Sequence, residues 1–401
     1  AFFPGCGPES GQSIRMDLEG AVETLDPQFS TSWESQVILL NTMEGLLVRD
    51  GEGNLQPGAA ESWEVSADGL TYTFHLREDA VWDDANSKEG KAATPVTAHD
   101  FVFAFHRIFD PQTPSPWAED FSAIRGARQV LAGELPKEQL GVRASGDYTL
   151  VITLSEPSPV LPELLAGSGA LPCNQEFFES TWARYGQGTS YLLSNGPFYL
   201  SAWDEEALVL RPNSAYTGEQ QVLCPSVVLY TGRAAREGTT AWQLFLDGKS
   251  DFCLAGNLTA QELEGQNFSF YPAEDTVWAL VFRQEEGSVL ADARIRQALT
   301  LPLDREEFGE RIPERFSMTS SLVPGSATLL GQEYRELAPA PQGSSSSPQE
   351  AREALTAGLE ELELTSLPKL TLLLPQSAQL GSLGGYFQRV WQDELLQYIN
   401  L

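Results

Sequence analysis

The chain has 401 residues, with 42% hydrophobic and 20% charged residues and a formal net charge of −31. That length is too great for one compact core and suits two or three domains of a soluble globular protein. The acidic surface repels phosphate backbones and disfavours nucleic-acid binding, and no apolar run approaches the ~20 residues of a membrane-spanning helix.

The N-terminus, Ala1-Phe2-Phe3-Pro4-Gly5-Cys6-Gly7, has no initiator Met and reads as the tail of a signal peptide. Gly5-Cys6 resembles the end of a bacterial lipobox, which predicts lipidation of Cys6. Phe3 and Pro4 depart from the usual Leu and small residue, and the alternative is a buried or tag-derived Cys. Cys173, Cys224 and Cys253 form no Cys-x-x-Cys pair, so buried free thiols are expected, with one bridge among the three as the alternative.

Leu70–Leu76 alternates Tyr72, Phe74 and Leu76 behind a Ser-Ala-Asp-Gly turn, and 148–154 alternates Tyr148, Leu150, Ile152 and Leu154. Both read as strands. Between them a helix is predicted over 98–109, with Thr97 and Asp100 as a capping box and Asp110-Pro111 as its stop. Further on, Val227–Tyr230, a helix near 239–246 and Asp251–Leu254 read as strand, helix, strand with parallel pairing. Strands are expected at Ala279–Phe282 and Lys369–Leu374, and helices at 294–299, from Pro348 behind an N-capping Ser347, and at 386–399.

No Ser or Cys sits in a motif that nominates it as a nucleophile, while a Ser–His or Cys–His pair that meets only in space stays open. His99 and His106 stand seven apart, about 10.5 Å along a helix, too far for one metal ion. No nucleophile elbow, phosphate-binding loop or His-Glu-x-x-His occurs. Glu205 and Glu206 are read as a solvated acidic face. No cofactor and no metal site is expected.

Glu44-Gly45-Leu46-Leu47, followed by Pro57-Gly-Ala-Ala-Glu-Ser-Trp63 and Asp68-Gly-Leu-Thr-Tyr-Thr-Phe-His-Leu-Arg77, resembles the opening of the peptide/nickel class of solute-binding proteins that feed ABC importers. Thr24-Leu-Asp-Pro27, Val96-Thr-Ala-His-Asp100, Ser194-Asn-Gly-Pro-Phe198 and Arg294-Ile-Arg-Gln-Ala-Leu299 with Asp304-Arg-Glu306 extend the resemblance in the family's order. It implies a two-lobed α/β periplasmic-binding-protein-like fold of type II with an extra inserted α+β subdomain. The first lobe is expected over 11–45 and 190–270, the inserted subdomain over 46–189, and the second lobe from 272 to 401. Relatives run on beyond the position of Leu401, so the C-terminal part of that lobe is expected to be missing.

The function implied is capture of short peptides in an interlobe cleft and delivery to the permease subunits of an ABC importer, by a monomer outside the cytoplasm, lipid-anchored or periplasmic. Strand-like pairing with the peptide backbone would give broad recognition. The resemblance points to Glu44, Gly45, Leu46 and Leu47 as one ligand-binding segment and to Asn195-Gly196 as a cleft-facing loop. Trp117 stands after Pro116 where relatives often have a ligand-facing Tyr, which implies a cleft residue and not a core one. Alternatives are a buried structural carboxylate at Glu44, backbone turns at Gly45 and Gly196, and packing beneath its loop for Trp117. The same scaffold serves nickel chelates, oligosaccharides and opines, or a sensor or chaperone without transport; an enzyme is the remotest reading.

Overall fold

The computed structural model describes residues 11–18, 20–83, 94–220, 222–254, 268–269, 277–312, 316–329, 332–338, 347–374 and 383–396. They fall into two compact units, one within 1–255 together with 329–331, the other within the remainder.

Two four-stranded sheets organise the first unit. One contains β1 (Ile14–Asp17), and the other is built from the segment that follows helix α1 (Trp33–Thr42). After α1 come a two-stranded pair, β2 (Leu47–Arg49) with β3 (Leu55–Pro57), and then β4 (Ala60–Val65) and β5 (Thr71–Leu76). A second short pair joins β6 (Val81–Trp82) to β7 (Thr94–Pro95). Helix α2 (Ala98–Ile108), the short α3 (Ala127–Leu131), β8 (Val142–Ala144) and β9 (Thr149–Thr153) complete this part, in which the strand order is β4-β5-β9-β8.

The alternation read from the sequence is what this sheet uses. Tyr72, Phe74 and Leu76 are buried, and Phe74 lies opposite Leu150 as Tyr72 lies opposite Ile152. Helix α2 packs across β8 and β9. It begins where the sequence places it, because Thr97 and Asp100 form the capping box, with the Thr97 N–H donating to Asp100 Oδ2 at 2.8 Å. Phe101, Phe105 and Ile108 point from it into the core with no exposure.

The short helices α4 (Leu161–Leu165) and α5 (Gln175–Ser180) lead to the rest of the first sheet: β10 (Phe198–Trp203), β11 (Ala207–Pro212) and β12 (Val227–Tyr230). Its order is β1-β12-β11-β10, with β1 and β12 parallel and the other pairs antiparallel. Helices α6 (Arg233–Arg236) and α7 (Ala241–Leu246) then return the chain to the far side of β1. There the predicted strand Asp251–Leu254 contracts to one parallel bridge, Phe252 to Met16. The Asp251 carboxylate takes over part of the pairing: Oδ2 accepts from the Arg15 backbone N–H at 2.8 Å, and both oxygens accept from its guanidinium. One continuous apolar core joins both sheets, from Met16 and Leu229 to Phe74 and Leu150.

The second unit has its own core, formed by α8 (Ala293–Thr300), α9 (Arg305–Gly309), α10 (Pro348–Glu361) and α11 (Leu383–Leu395). Trp391 is buried there and donates its indole N–H to Leu299 O at 2.7 Å. Helix α10 opens on Pro348 as expected, but the Ser347 side chain makes no capping bond. The predicted strands Ala279–Phe282 and Lys369–Leu374 do not form. A strand requires a ladder partner, and neither segment has one among the described residues. The expected helix over 386–399 starts earlier, at Leu383, and its last residues lie outside the described set.

Phe74 is fully enclosed between β4 and β9. Replacing it by Ala should lower unfolding free energy by about 3–5 kcal/mol in urea denaturation. A loss below about 1 kcal/mol would mean that this sheet is not packed as described.

Candidate functional site

Helix α1 ends at Thr42, and the chain turns through Met43-Glu44-Gly45 into β2. Asn195 fixes this turn. Its Oδ1 accepts from the Glu44 N–H at 3.0 Å and its Nδ2 donates to Glu44 O at 2.9 Å, so one side-chain amide satisfies both backbone groups of a buried residue. Gly196 N donates to Thr42 O at 3.0 Å, and a Cβ on Gly196 would lie 2.8 Å from the Met43 nitrogen, so only Gly permits this approach. Asn213 donates to Gly196 O from the other side.

The Glu44 carboxylate is buried, which is the structural alternative weighed for it. Arg77 Nη2 lies 2.6 Å from one oxygen, and the Tyr216 hydroxyl donates to the other at 2.6 Å. Burial raises the Glu44 carboxyl above the ordinary range, outweighing the attraction of Arg77 and the Tyr216 hydrogen bond. Gly45 O accepts from Ala59 N, and Leu46 O from both Gly58 N and Ala60 N. The Leu46 and Leu47 side chains belong to the core. This segment is thus a braced frame, and its main-chain groups pair with the protein itself.

Trp117 sits elsewhere, on the loop after α2. Its ring lies against Gly169, where a Cβ would come within 2.7 Å of the indole Cγ. Its indole N–H donates to Pro27 O at 3.1 Å, and its backbone N–H donates to the Ser115 hydroxyl at 3.1 Å. The ring is only partly buried, so one portion packs on the core while another reaches solvent. The structure brings Glu44–Leu47 together with Asn195 and Gly196. Trp117 is linked to them through the segment 165–171, since Gly169 backs its ring while Leu165 and Leu171 lie against Gly45.

Beneath Trp117 is a polar cluster that the sequence reading did not single out. Arg107, on the inner face of α2, pairs with both carboxylate oxygens of Asp26 and donates to Gln28 Oε1 at 2.6 Å. Its guanidinium stacks on the Phe178 ring, 4.1 Å from the centroid. Cys173 is a free, fully buried thiol 3.6 Å from Arg107, and burial pushes it up to about 12, which removes it as a nucleophile. The detectable signal was an Arg on the buried face of an apolar helix, which demands a carboxylate partner. Thr24-Leu25-Asp26-Pro27 carries a family motif but no local sign that Asp26 is that partner.

Among the described residues, no group of three His, Cys, Asp or Glu is placed to hold a metal ion, and no helix is long and apolar enough to cross a membrane. His99 is exposed and His106 half-buried on α2. Cys6 lies outside the described residues.

Comparison with known proteins identifies the class. Residues 54–393 match the family model of bacterial extracellular solute-binding proteins, family 5, middle region. The chain belongs to this family, which is one of solute-binding proteins and not of enzymes. It is 28% identical to the dipeptide-binding protein of Lactococcus lactis over 97% of this chain and 72% of that protein. It is 37% identical to the periplasmic oligopeptide-binding protein OppA of Salmonella typhimurium over 51% of this chain and 36% of that one. The fold is that of the pheromone receptor PrgZ, a structure described with its mode of peptide binding, at TM-score 0.72 and 26% identity over 97% of this chain and 76% of that one. The two-lobed periplasmic-binding-protein class read from the sequence is therefore the class of this fold.

Because the folded-state pKa of Glu44 is raised, its protonated form is favoured by folding. Its stabilising contribution is present at low pH and fades as pH rises through that pKa. Wild type should therefore gain stability relative to Glu44→Gln as pH falls from 7 towards 4 in paired denaturation curves. A relative loss on acidification would show that Arg77 holds the carboxyl low instead.

Proposed function

We propose that this protein captures short peptides outside the cytoplasm and delivers them to the permease subunits of an ABC importer, acting as a monomer. The observation that carries this reading is the alignment of nearly the whole chain with a dipeptide-binding protein. The peptide-binding description of PrgZ, whose fold it shares, supports it. We place the first lobe at 11–45 and 190–270, the inserted subdomain at 46–189 and the second lobe at 272–401. The sheet of β1 and β10–β12 supports that division, because its strands come from both sides of 46–189 while that stretch contributes the other four-stranded sheet.

For the ligand site we propose Trp117 as the contacting side chain, with Glu44, Gly45, Leu46, Leu47, Asn195 and Gly196 as the frame behind it. The paired backbone of residues 44–46 favours the framing role over direct strand addition by that segment. A ring that packs on Gly169 and belongs to an only partly buried residue suits an apolar ligand side chain.

Calorimetry with a mixed pool of di- to pentapeptides should show binding, with little dependence on side-chain identity. Binding only of sugars or of a nickel–histidine chelate would replace the peptide reading with one of the other solutes of this scaffold. We also propose that Cys6 is lipid-anchored in the native cell. Mass spectrometry of the mature N-terminus should find a diacylglyceryl adduct there, and a free thiol on a released protein would refute it.

A further inference from the structure

Gln28 is fully buried, yet every polar group of its side chain is used. Its Oε1 accepts from Arg107 at 2.6 Å, and its Nε2 donates to Leu171 O at 2.9 Å and to Gly169 O at 3.4 Å. Its backbone carbonyl accepts from the Ser115 hydroxyl, the same hydroxyl that accepts from the Trp117 N–H. The preceding carbonyl, Pro27 O, holds the indole N–H at 3.1 Å. Gly169, the residue that Gln28 grips, is also the one against which the ring rests.

We propose that Gln28 is a positioning residue that sets the orientation of Trp117 for peptide capture. Arg107 serves as its buried anchor and Ser115 as the link between the two backbones. A flat ring contributes more to binding when its angle is fixed before the ligand arrives, since otherwise the ligand must order it. Three contacts define that angle: the Pro27 carbonyl, the Ser115 hydroxyl and the Gly169 backbone. Gln28 or its immediate neighbour supports each of them. The remaining side-chain partner, Arg107, is itself held by Asp26, two residues before Gln28. The fixed part of the device is therefore one short segment, 26–28, pinned from below by a buried cation.

This inference rests on the reading of Trp117 as the ligand-contacting ring, and a double-mutant cycle separates the two. The full chain is titrated with trialanine by calorimetry, as wild type, Gln28→Met, Trp117→Ala and the double variant. Met keeps the length and apolar volume of Gln28 and removes its hydrogen bonds. Gln28→Met should weaken trialanine binding roughly tenfold, as expected for lost buried hydrogen bonds that order a contact. In the Trp117→Ala background the same change should have no further effect. The indole N–H resonance of Trp117 should shift and exchange faster with solvent in Gln28→Met.

If Trp117→Ala binds as wild type does, the ligand-contact reading fails and this inference falls with it. If Trp117→Ala binds weakly but Gln28→Met weakens both backgrounds equally, Gln28 acts by another route and this inference alone is wrong. Wild-type affinity in a folded Gln28→Met protein also overturns it. Should Gln28→Met fail to melt cooperatively, Ser115→Ala replaces it in the cycle, with the same outcomes required.

Discussion

A guanidinium taken out of water must be neutralised and hydrogen-bonded where it lies, or it costs several kcal/mol. Arg107 meets that condition with Asp26, Gln28 and the face of Phe178. The consequence is architectural. Asp26 and Gln28 lie in the segment before α1, Phe178 is on α5, and Arg107 is on α2, so satisfying one charge fixes three distant stretches of chain. The Gln28 side chain then reaches the carbonyls of Gly169, which backs the Trp117 ring, and of Leu171, whose side chain lies against Gly45. Removing the charge partner would leave the cation buried and unpaired.

A second buried charge is handled differently. Glu44 is balanced by Arg77 and Tyr216, but burial dominates, and its carboxyl remains raised. The turn it occupies is held mainly by neutral amide groups: Asn195 on the Glu44 backbone, Gly196 on Thr42, and Asn213 on Gly196. Residues 44 and 195 lie far apart in sequence, so this is the point at which the end of α1 is tied to the entry of β10. The two networks meet at the 165–171 segment and give the proposed binding ring a stiff backing.

Much of the fold was legible because its signals are local. The capping box at Thr97 and Asp100 states where α2 starts, and the alternation in Tyr72, Phe74 and Leu76 states which face of β5 is buried. The strand–helix–strand reading after Val227 has the right direction, but β12 and Phe252 each run parallel to β1 and not to one another as partners, Phe252 supplies one bridge in place of a strand, and the remaining pairs of the sheet are antiparallel. The strands expected at Ala279–Phe282 and Lys369–Leu374 failed because an apolar run does not specify a partner. For the site, the motifs located the Glu44 turn and the Asn195 loop and implied that they belong together. They did not reveal that Asn195 faces the protein backbone, since an Asn beside a Gly reads equally well as a turn. Gln28 leaves no mark in the sequence and Arg107 shows only its place on an apolar helix, because their partners are far away in the chain and only the fold brings a Gln, an Arg and two carbonyls to one place.

The ring that these networks hold is the proposed surface for a peptide. Isotope-filtered NMR on the protein with bound, carbon-13-labelled trialanine addresses this directly. Nuclear Overhauser contacts are expected between the peptide methyl groups and the Trp117 ring protons. A peptide that binds tightly but shows no contact to Trp117 would contradict that assignment.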